Sequence, residues 1–325
     1  MVLDRIIFKY KCIDKSTLLV FYKFLLIVLP ALLFIASCSP KEESDLMRDE
    51  LANIYKKASK NPKSYYHMNK FRVEWMKKKA KDLPASKIMT HRYYLSQELL
   101  RAGLSEEAIS ELNGIISDIG VRTDWMNSST RSLIDELALS YIRLGEQVNC
   151  IENHTGDSCI MPIAEEGIQV KTESTKKAID LYKKILKSYP NDLGSRWLLN
   201  IAYMSIGLYP DSVPKQYLVK GLESNSSNKI IKFNNIAHEV GLATNGISGG
   251  LNVEDFNNDG HLDLFMTSYG LNDPAYLFFA DGKGGYYDHS SRAGLDGITS
   301  GLNSIHADYD NDGNIDIFVL RGAWL

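Results

Sequence analysis

The chain has few cysteines and no excess of positive charge. Only four of its 325 residues are cysteine, which excludes the small scaffolds that are built mainly from disulfides. Lysine and arginine number 37 against 40 aspartate and glutamate residues, so the formal net charge is -3. A chain without a basic surplus lacks the electrostatic footprint of sequence-independent nucleic-acid binding. The composition, 44% hydrophobic and 24% charged, instead predicts a globular protein with room for two domains.

Sequence motifs for catalysis are also missing. The chain contains no G-x-S-x-G nucleophile turn and no phosphate-binding P-loop. His238-Glu239 begins an H-E-x-x-H pattern, but Leu242 stands where the second histidine belongs. The sequence therefore predicts a protein that is not an enzyme.

An apolar run of thirteen residues, Phe24 to Ala36, lies near the N-terminus. It is shorter than the roughly 20 residues that span a bilayer and is typical of the apolar region of a signal peptide. The small residues before Cys38 resemble the lipobox of bacterial lipoproteins, which implies cleavage before this cysteine and its acylation. Ser39 after the cysteine favours the outer membrane in such proteins. We expect a signal peptide (1–37), a tether (38–43) and an exported outer-membrane lipoprotein facing the periplasm or the exterior; an uncleaved anchor or a buried helix is the alternative.

Residues 44–222 have a helical period with breakers at intervals, which predicts an all-α domain. The segment His91 to Gly103 is predicted to be a helix ending at its glycine. The next helix is predicted to begin at Leu104-Ser105-Glu106-Glu107, with Ser105 as the N-cap. Together the two helices predict a helical hairpin.

A second hairpin is predicted over Thr175 to Gly207. Ala178, Tyr182 and Pro190 fall where a tetratricopeptide repeat places alanine, an aromatic residue and a closing proline. This similarity implies a short stack of helical repeats. Aromatic side chains at this spacing, Tyr182, Trp197 and Tyr203, are expected in the core rather than along a peptide groove.

Two cysteines, Cys150 and Cys159, lie between the hairpins with eight residues separating them. An exported chain meets an oxidising compartment, so we expect a disulfide between them. The alternative is a metal site that includes His154, but this spacing matches no usual zinc motif.

After Phe233 the sequence becomes rich in glycine, and two features recur at one fixed offset. Gly241-Leu242 recurs as Gly294-Leu295 and Asp255 recurs as Asp308, in both cases 53 residues later. Because two separate features share one offset, the sequence predicts a structural repeat of about 50 residues. A unit of this size with several short strands is comparable to one blade of a β-propeller.

Each repeat contains an acidic loop followed at once by a strand pattern. The loops read DFNNDGHLD from Asp255 and DYDNDGNID from Asp308. Several carboxylates on one tight turn repel one another, and a hard divalent ion that accepts six to eight oxygen ligands relieves this repulsion. We therefore expect calcium as the cofactor, with side-chain or backbone oxygens from Asp255, Asn257, Asp259, His261 and Asp263 in one loop and from Asp308, Asp310, Asp312, Asn314 and Asp316 in the other.

An EF-hand is excluded because its loop requires a bidentate glutamate at position 12, where Met266 and Val319 stand. The loops instead resemble those of FG-GAP or VCBS repeat proteins, whose blades carry D-x-[DN]-x-D-G-x-x-D before a strand. The segments NCIENHTGDSCIMP and SRWLLNIAYMSIGLYPDSVP are also similar to the helical leader of the ASPIC/UnbV group, which includes cartilage acidic protein-like proteins. The resemblance implies an α+β multidomain chain: tetratricopeptide-like helical repeats followed by a partial all-β propeller at 229–325. With only two calcium loops, we expect the propeller to be incomplete and the chain to be C-terminally truncated.

These features favour a calcium-binding, lipid-anchored surface scaffold that takes part in adhesion and binds an unidentified protein or glycan. The alternatives are a periplasmic assembly factor acting through the helical repeats and a propeller-based enzyme acting on polysaccharide. We expect the membrane to be reached through the lipid at Cys38, and we expect no nucleic-acid partner.

Overall fold

The computed structural model of the chain describes residues 43–65, 67–120, 127–153, 155, 161–223 and 234–321. Within these ranges, α-helices occupy the N-terminal part and antiparallel strands the C-terminal part, as the sequence predicts. None of the described helices is both long enough and apolar enough to cross a membrane.

Seven α-helices are present in the described residues, and consecutive helices from α2 onwards pack against one another. Two single turns of 3-10 helix accompany them, at Pro62–Ser64 and Glu165–Gly167. The helices are α1 (Glu43–Lys60), α2 (Asn69–Ala80), α3 (Ala85–Arg101), α4 (Ser105–Asp118), α5 (Ser128–Asn153), α6 (Glu173–Ser188) and α7 (Leu193–Ser205).

The first predicted hairpin is formed by α3 and α4, but the predicted cap is wrong. Ser105 is the first helical residue rather than the N-cap, and its buried hydroxyl makes no hydrogen bond to the described residues. Leu104 takes the cap position because the turn closes one residue earlier: the Leu104 amide donates to the Leu99 carbonyl and the Gly103 amide to the Leu100 carbonyl. Gly103 has a positive φ of 77°, as the predicted helix end requires.

The second hairpin, α6 and α7, supplies much of the largest apolar core. Ala178 and Tyr182 of α6 are fully buried there, and Tyr203 of α7 is 7% exposed. Asp192 caps α7, since its side chain accepts a hydrogen bond from the Ser195 amide. Trp197 stays largely exposed, so of the three aromatic residues only Tyr182 and Tyr203 are core residues.

Two buried asparagines bind irregular segments that follow α5 and α7. The Asn149 side chain accepts hydrogen bonds from the Val170 and Lys171 amides and donates to the Lys171 carbonyl. The Asn200 side chain accepts from the Val219 amide and donates to the Tyr217 carbonyl. Each amide group therefore replaces backbone hydrogen bonds that an irregular segment would otherwise lose on burial.

The C-terminal part begins with a four-stranded antiparallel sheet in which neighbours in the chain are neighbours in space. A two-stranded antiparallel sheet follows, and its first strand packs against β1. The strands are β1 (Ser248–Glu254), β2 (Asp263–Ser268), β3 (Tyr276–Ala280), β4 (Tyr286–Asp288), β5 (Asn303–Ala307) and β6 (Asp316–Leu320).

The pairs β1–β2 and β5–β6 have the same register. Glu254 lies opposite Asp263, and 53 residues later Ala307 lies opposite Asp316. The next three pairs along the strands correspond in the same way. We call β1–β4 the first unit and β5–β6 the second unit, because the offset found in the sequence relates their backbones.

Candidate metal centre

The first acidic loop joins β1 to β2, and its oxygens are ordered by backbone amides. Asp255 accepts hydrogen bonds from the Asp259 amide at 3.0 Å and from the Gly260 amide at 2.8 Å. Asn257 accepts from the same Asp259 amide through its side-chain oxygen at 2.9 Å. The His261 amide donates to the Asp259 carboxylate at 2.9 Å. The loop therefore folds around the side chains that the sequence predicts as ligands.

The second loop, between β5 and β6, repeats this arrangement. Asp308 accepts from the Asp312 amide at 3.1 Å and from the Gly313 amide at 3.0 Å. Asp310 accepts from the Asp312 amide, and the Asn314 amide donates to the Asp312 carboxylate. Every one of these hydrogen bonds has its counterpart 53 residues earlier, so the two loops have one conformation.

Two positions in each loop need a left-handed backbone. Gly260 and Gly313 have φ values of 87° and 88°, which glycine adopts without steric cost. Asn258 and Asn311 have φ values of 58° and 61°, a region that asparagine tolerates better than most residues. This role was not anticipated from the sequence, although an asparagine at the same place in both loops is a signal for it.

The last aspartate of each loop starts the following strand and binds the loop back onto it. Asp263 is fully buried and accepts hydrogen bonds from the Phe256 amide at 3.1 Å and the Ala280 amide at 2.9 Å. Asp316 accepts from the Tyr309 amide at 2.9 Å. These carboxylates fix the geometry of the loop, and each oxygen retains a further lone pair for a cation.

In the second loop the carboxylates come close enough to share one ion. One oxygen from each of Asp308, Asp310 and Asp316 lies within 4.8 Å of the others. Ligand oxygens on opposite sides of a calcium ion are about 5 Å apart, given calcium–oxygen distances of 2.3–2.6 Å. The donor set is entirely oxygen, which suits a hard cation and not a thiophilic metal.

Local hydrogen bonds also favour the ionised form of one carboxyl group in the second loop. The backbone and side chain of Asn314 donate to Asp312 and lower the pKa of its carboxyl group. The loop has four aspartates, whereas the first has three because Asn257 stands at the position of Asp310. Since affinity for calcium rises with the number of charged ligands, the second loop is the stronger candidate.

The remaining predicted site residues stay predictions. The carbonyls of His261 and Asn314 were expected as ligands, and among the hydrogen bonds described above these residues act through their amides. Cys38 and Cys159 lie outside the described residues, as does His154, while Cys150 is exposed near the end of α5. Neither lipidation nor the disulfide is therefore tested by the structure.

One further acidic turn was not singled out in the sequence. Asp281, between β3 and β4, accepts hydrogen bonds from the Lys283 amide at 2.7 Å and the Gly285 amide at 2.9 Å, and these bonds lower its pKa. No neighbouring carboxylate of the described residues joins it in a cluster. Asp281 is therefore a useful comparison, because it has the same kind of amide contacts as the loop aspartates but does not belong to a cluster of carboxylates.

The fold and the loops define a tandem antiparallel repeat with an acidic turn between paired strands. Residues 255–319, from the first aspartate of one loop to the strand after the other, match the family profile of the FG-GAP-like repeat. No curated protein and no solved structure matches the chain.

Proposed function

We propose that this protein is a calcium-binding, lipid-anchored scaffold at the bacterial surface that binds a protein or glycan ligand and catalyses no reaction. The observation that carries the proposal is the pair of acidic loops with identical hydrogen bonds, set 53 residues apart in an FG-GAP-like repeat. Lipid attachment rests on the apolar run and the residues before Cys38. The scaffold role rests on the repeats themselves and on the missing catalytic motifs.

The proposed ion has a structural role. Each set of ligands lies inside one nine-residue loop, so the chain can hold the ion without recruiting groups from elsewhere. A bound calcium ion supplies the positive charge that offsets repulsion between the aspartates. The amide hydrogen bonds of Asp255 and Asp308 hold these carboxylates in place beforehand, which lowers the entropy lost on binding.

We further propose that the two units are blades of a β-propeller and that the helices form a tetratricopeptide-like stack. A four-stranded antiparallel meander is the usual form of a blade, and the first unit has this strand order. Helical hairpins that pack on their neighbours, as α3–α4 and α6–α7 do, are the elements of such a stack. We also propose that the chain is related to ASPIC/UnbV proteins.

Calcium titration by calorimetry on the full chain in a mild detergent tests the proposal. Two ions are expected to bind, with the tighter site lost in the double variant Asp308→Asn, Asp310→Asn and the weaker site lost in Asp255→Asn, Asp259→Asn. Calcium at a hundredfold excess over its Kd is expected to stabilise the fold by about 2.7 kcal/mol per site and to raise the melting temperature.

Asp281→Asn is the matched control, because it removes a carboxylate with similar amide contacts outside the loops. It is expected to leave both binding events unchanged. An unaltered titration in the loop variants, or no binding to a folded chain, would show that the loops are only solvated turns.

A further inference from the structure

Positive charge is concentrated between Asn53 and Lys81, although the formal net charge of the whole chain is -3. This segment holds nine lysines and one arginine but a single acidic residue, Glu74. Helix α1 begins with acidic residues and ends with basic ones, so the positive segment starts in its last turns. The rest of the chain therefore carries an excess of negative charge, and the positive charge is a local feature.

Most of these lysines are exposed and have no carboxylate partner. Lys77 is the exception, since its ammonium group pairs with Glu74 at 3.6 Å and with Glu107 at 3.0 Å. The single arginine, Arg72, is partly buried and pairs with Glu98. The other lysines of the segment are exposed and form no ion pair with the described residues. We call them the basic surface: Lys56, Lys57, Lys60, Lys63, Lys70, Lys78, Lys79 and Lys81.

Contacts between α1, the turn that follows it and α2 bring these lysines to one region of the molecule. The Arg72 guanidinium donates a hydrogen bond to the Lys63 carbonyl at 3.0 Å, which holds the turn on α2. The rings of Tyr55 and Phe71 meet edge to face with 6.2 Å between their centroids, and this contact joins the end of α1 to α2. The lysines before, within and after the turn therefore contribute to one patch of positive charge.

Aromatic side chains lie among the lysines of α2. Val73 is buried in the core, whereas Phe71, on the other side of the helix, is 41% exposed. Lys78 follows Phe71 by two helical turns and lies on the same outward face. The Lys79 ammonium nitrogen is 4.8 Å from the centre of the Trp75 ring. Basic residues interleaved with aromatic rings are typical of protein surfaces that lie against lipid head groups.

We propose that the basic surface binds the anionic head groups of the membrane that carries the lipid anchor. We rest this inference on the proposed lipid attachment at Cys38, because Lys56 follows Cys38 by only 18 residues and is held near the membrane by that lipid. Attraction between lysines and an anionic membrane extends about one Debye length, roughly 8 Å at physiological salt. The membrane is the partner because it is the anionic surface that the anchor brings within this distance.

Co-sedimentation of the full chain with lipid vesicles, after dilution from detergent, tests the proposal. Vesicles of phosphatidylcholine alone measure attachment through the N-terminal anchor. Vesicles that also contain about 30% phosphatidylglycerol are expected to bind the chain at least about tenfold more tightly at low salt. This gain in affinity is expected to disappear at about 0.5 M salt, where the Debye length is only a few ångströms.

Removing three lysines of the basic surface, in the triple variant Lys56→Gln, Lys60→Gln, Lys78→Gln, is expected to abolish most of the gain in affinity. Binding to the neutral vesicles is expected to stay unchanged. The three side chains are exposed and make no ion pair with the described residues, so their replacement is expected to leave the fold intact. A variant that keeps the full gain would contradict the proposal.

The matched control is Lys176→Gln, Lys184→Gln, Lys187→Gln, because it removes the same charge from exposed lysines of α6. It is expected to keep the full gain in affinity. Equal losses in the two triple variants would overturn the proposal, since total charge rather than the basic surface would then attract the chain. An unchanged chain that binds both kinds of vesicle equally would overturn it too and leave the lysines as a solvated or protein-binding face.

The two kinds of vesicle separate this proposal from the proposed lipid anchor. A chain that does not bind neutral vesicles would contradict the anchor. A gain on anionic vesicles that only the Lys56, Lys60 and Lys78 variant loses would still establish the basic surface.

Discussion

Replacing Glu98 by alanine is expected to lower the free energy of unfolding by about 3–5 kcal/mol, the usual cost of removing one partner of a buried ion pair. Glu98 of α3 is only 3% exposed. Its carboxylate accepts hydrogen bonds from Arg72 of α2 at 2.7 and 3.0 Å and from Arg101 at 2.9 Å. The variant removes the Glu98 carboxylate from the partly buried Arg72 guanidinium. Urea denaturation followed by far-ultraviolet circular dichroism measures the change.

Glu74→Ala is the matched control, because Glu74 is an exposed glutamate that pairs with Lys77 at 3.6 Å. An exposed pair contributes about 0–1 kcal/mol, so this variant is expected to unfold almost as the unchanged chain does. Equal effects of the two substitutions would mean that the Glu98 pair does not stabilise the helices.

The acid side of the stability profile should also depend on Glu98. Burial opposes ionisation of this side chain, but hydrogen bonds and charges from Arg72 and Arg101 outweigh it and lower the pKa of Glu98. A carboxyl group whose pKa is lower in the folded state stabilises the fold above its unfolded pKa of about 4.3. This contribution is lost as the pH falls through the folded pKa. In Glu98→Ala the free energy of unfolding is therefore expected to fall less between neutral and acid pH than it does in the unchanged chain.

Replacing Gly250 by valine is expected to separate the two β units. A Cβ atom at this position meets the Ser304 amide nitrogen at 2.3 Å and the Asn303 carbonyl carbon at 2.8 Å, and both are backbone atoms. Strand β5 must therefore move away, at a cost of about 1–3 kcal/mol or more. Amide hydrogen exchange is expected to show loss of protection in β5 and β6, with α6 and α7 unaffected.

Gly194→Ala serves as the control for this experiment. A Cβ atom there lies no closer than 3.5 Å to its neighbours, an ordinary contact, and alanine favours the helix. Its exchange pattern should equal that of the unchanged chain. If β5 remains protected in Gly250→Val, the close contact between the units is not needed for their packing.

The sequence predicted the repeat well because the repeat depends on local chemistry. Asp255 and Asp308 mark turns whose hydrogen bonds reach only five residues ahead, so a nine-residue pattern contains nearly all the information. The same offset of 53 residues also relates the pairs of strands on either side of the turns. Ser105 shows the limit of such patterns. A serine before two glutamates is typical of an N-cap, but a tight turn places the cap one residue earlier, at Leu104.

Long-range pairings could not be predicted in this way. Glu98 and Arg72 are two charges among many on successive helices, and only the packing of α2 on α3 selects this pair. Gly250 is a second example. A glycine within a strand pattern indicates that another segment of the chain lies close to it, but it does not indicate which segment.

The buried asparagines of the helical half have a consequence for how this chain can vary. Asn149 binds the segment after α5 at Val170 and Lys171, and Asn200 binds the segment after α7 at Tyr217 and Val219. Replacing either asparagine by an apolar residue would remove the hydrogen bonds that hold these segments on the helices. These two asparagines are therefore expected to vary less among related sequences than the exposed polar residues of the same helices.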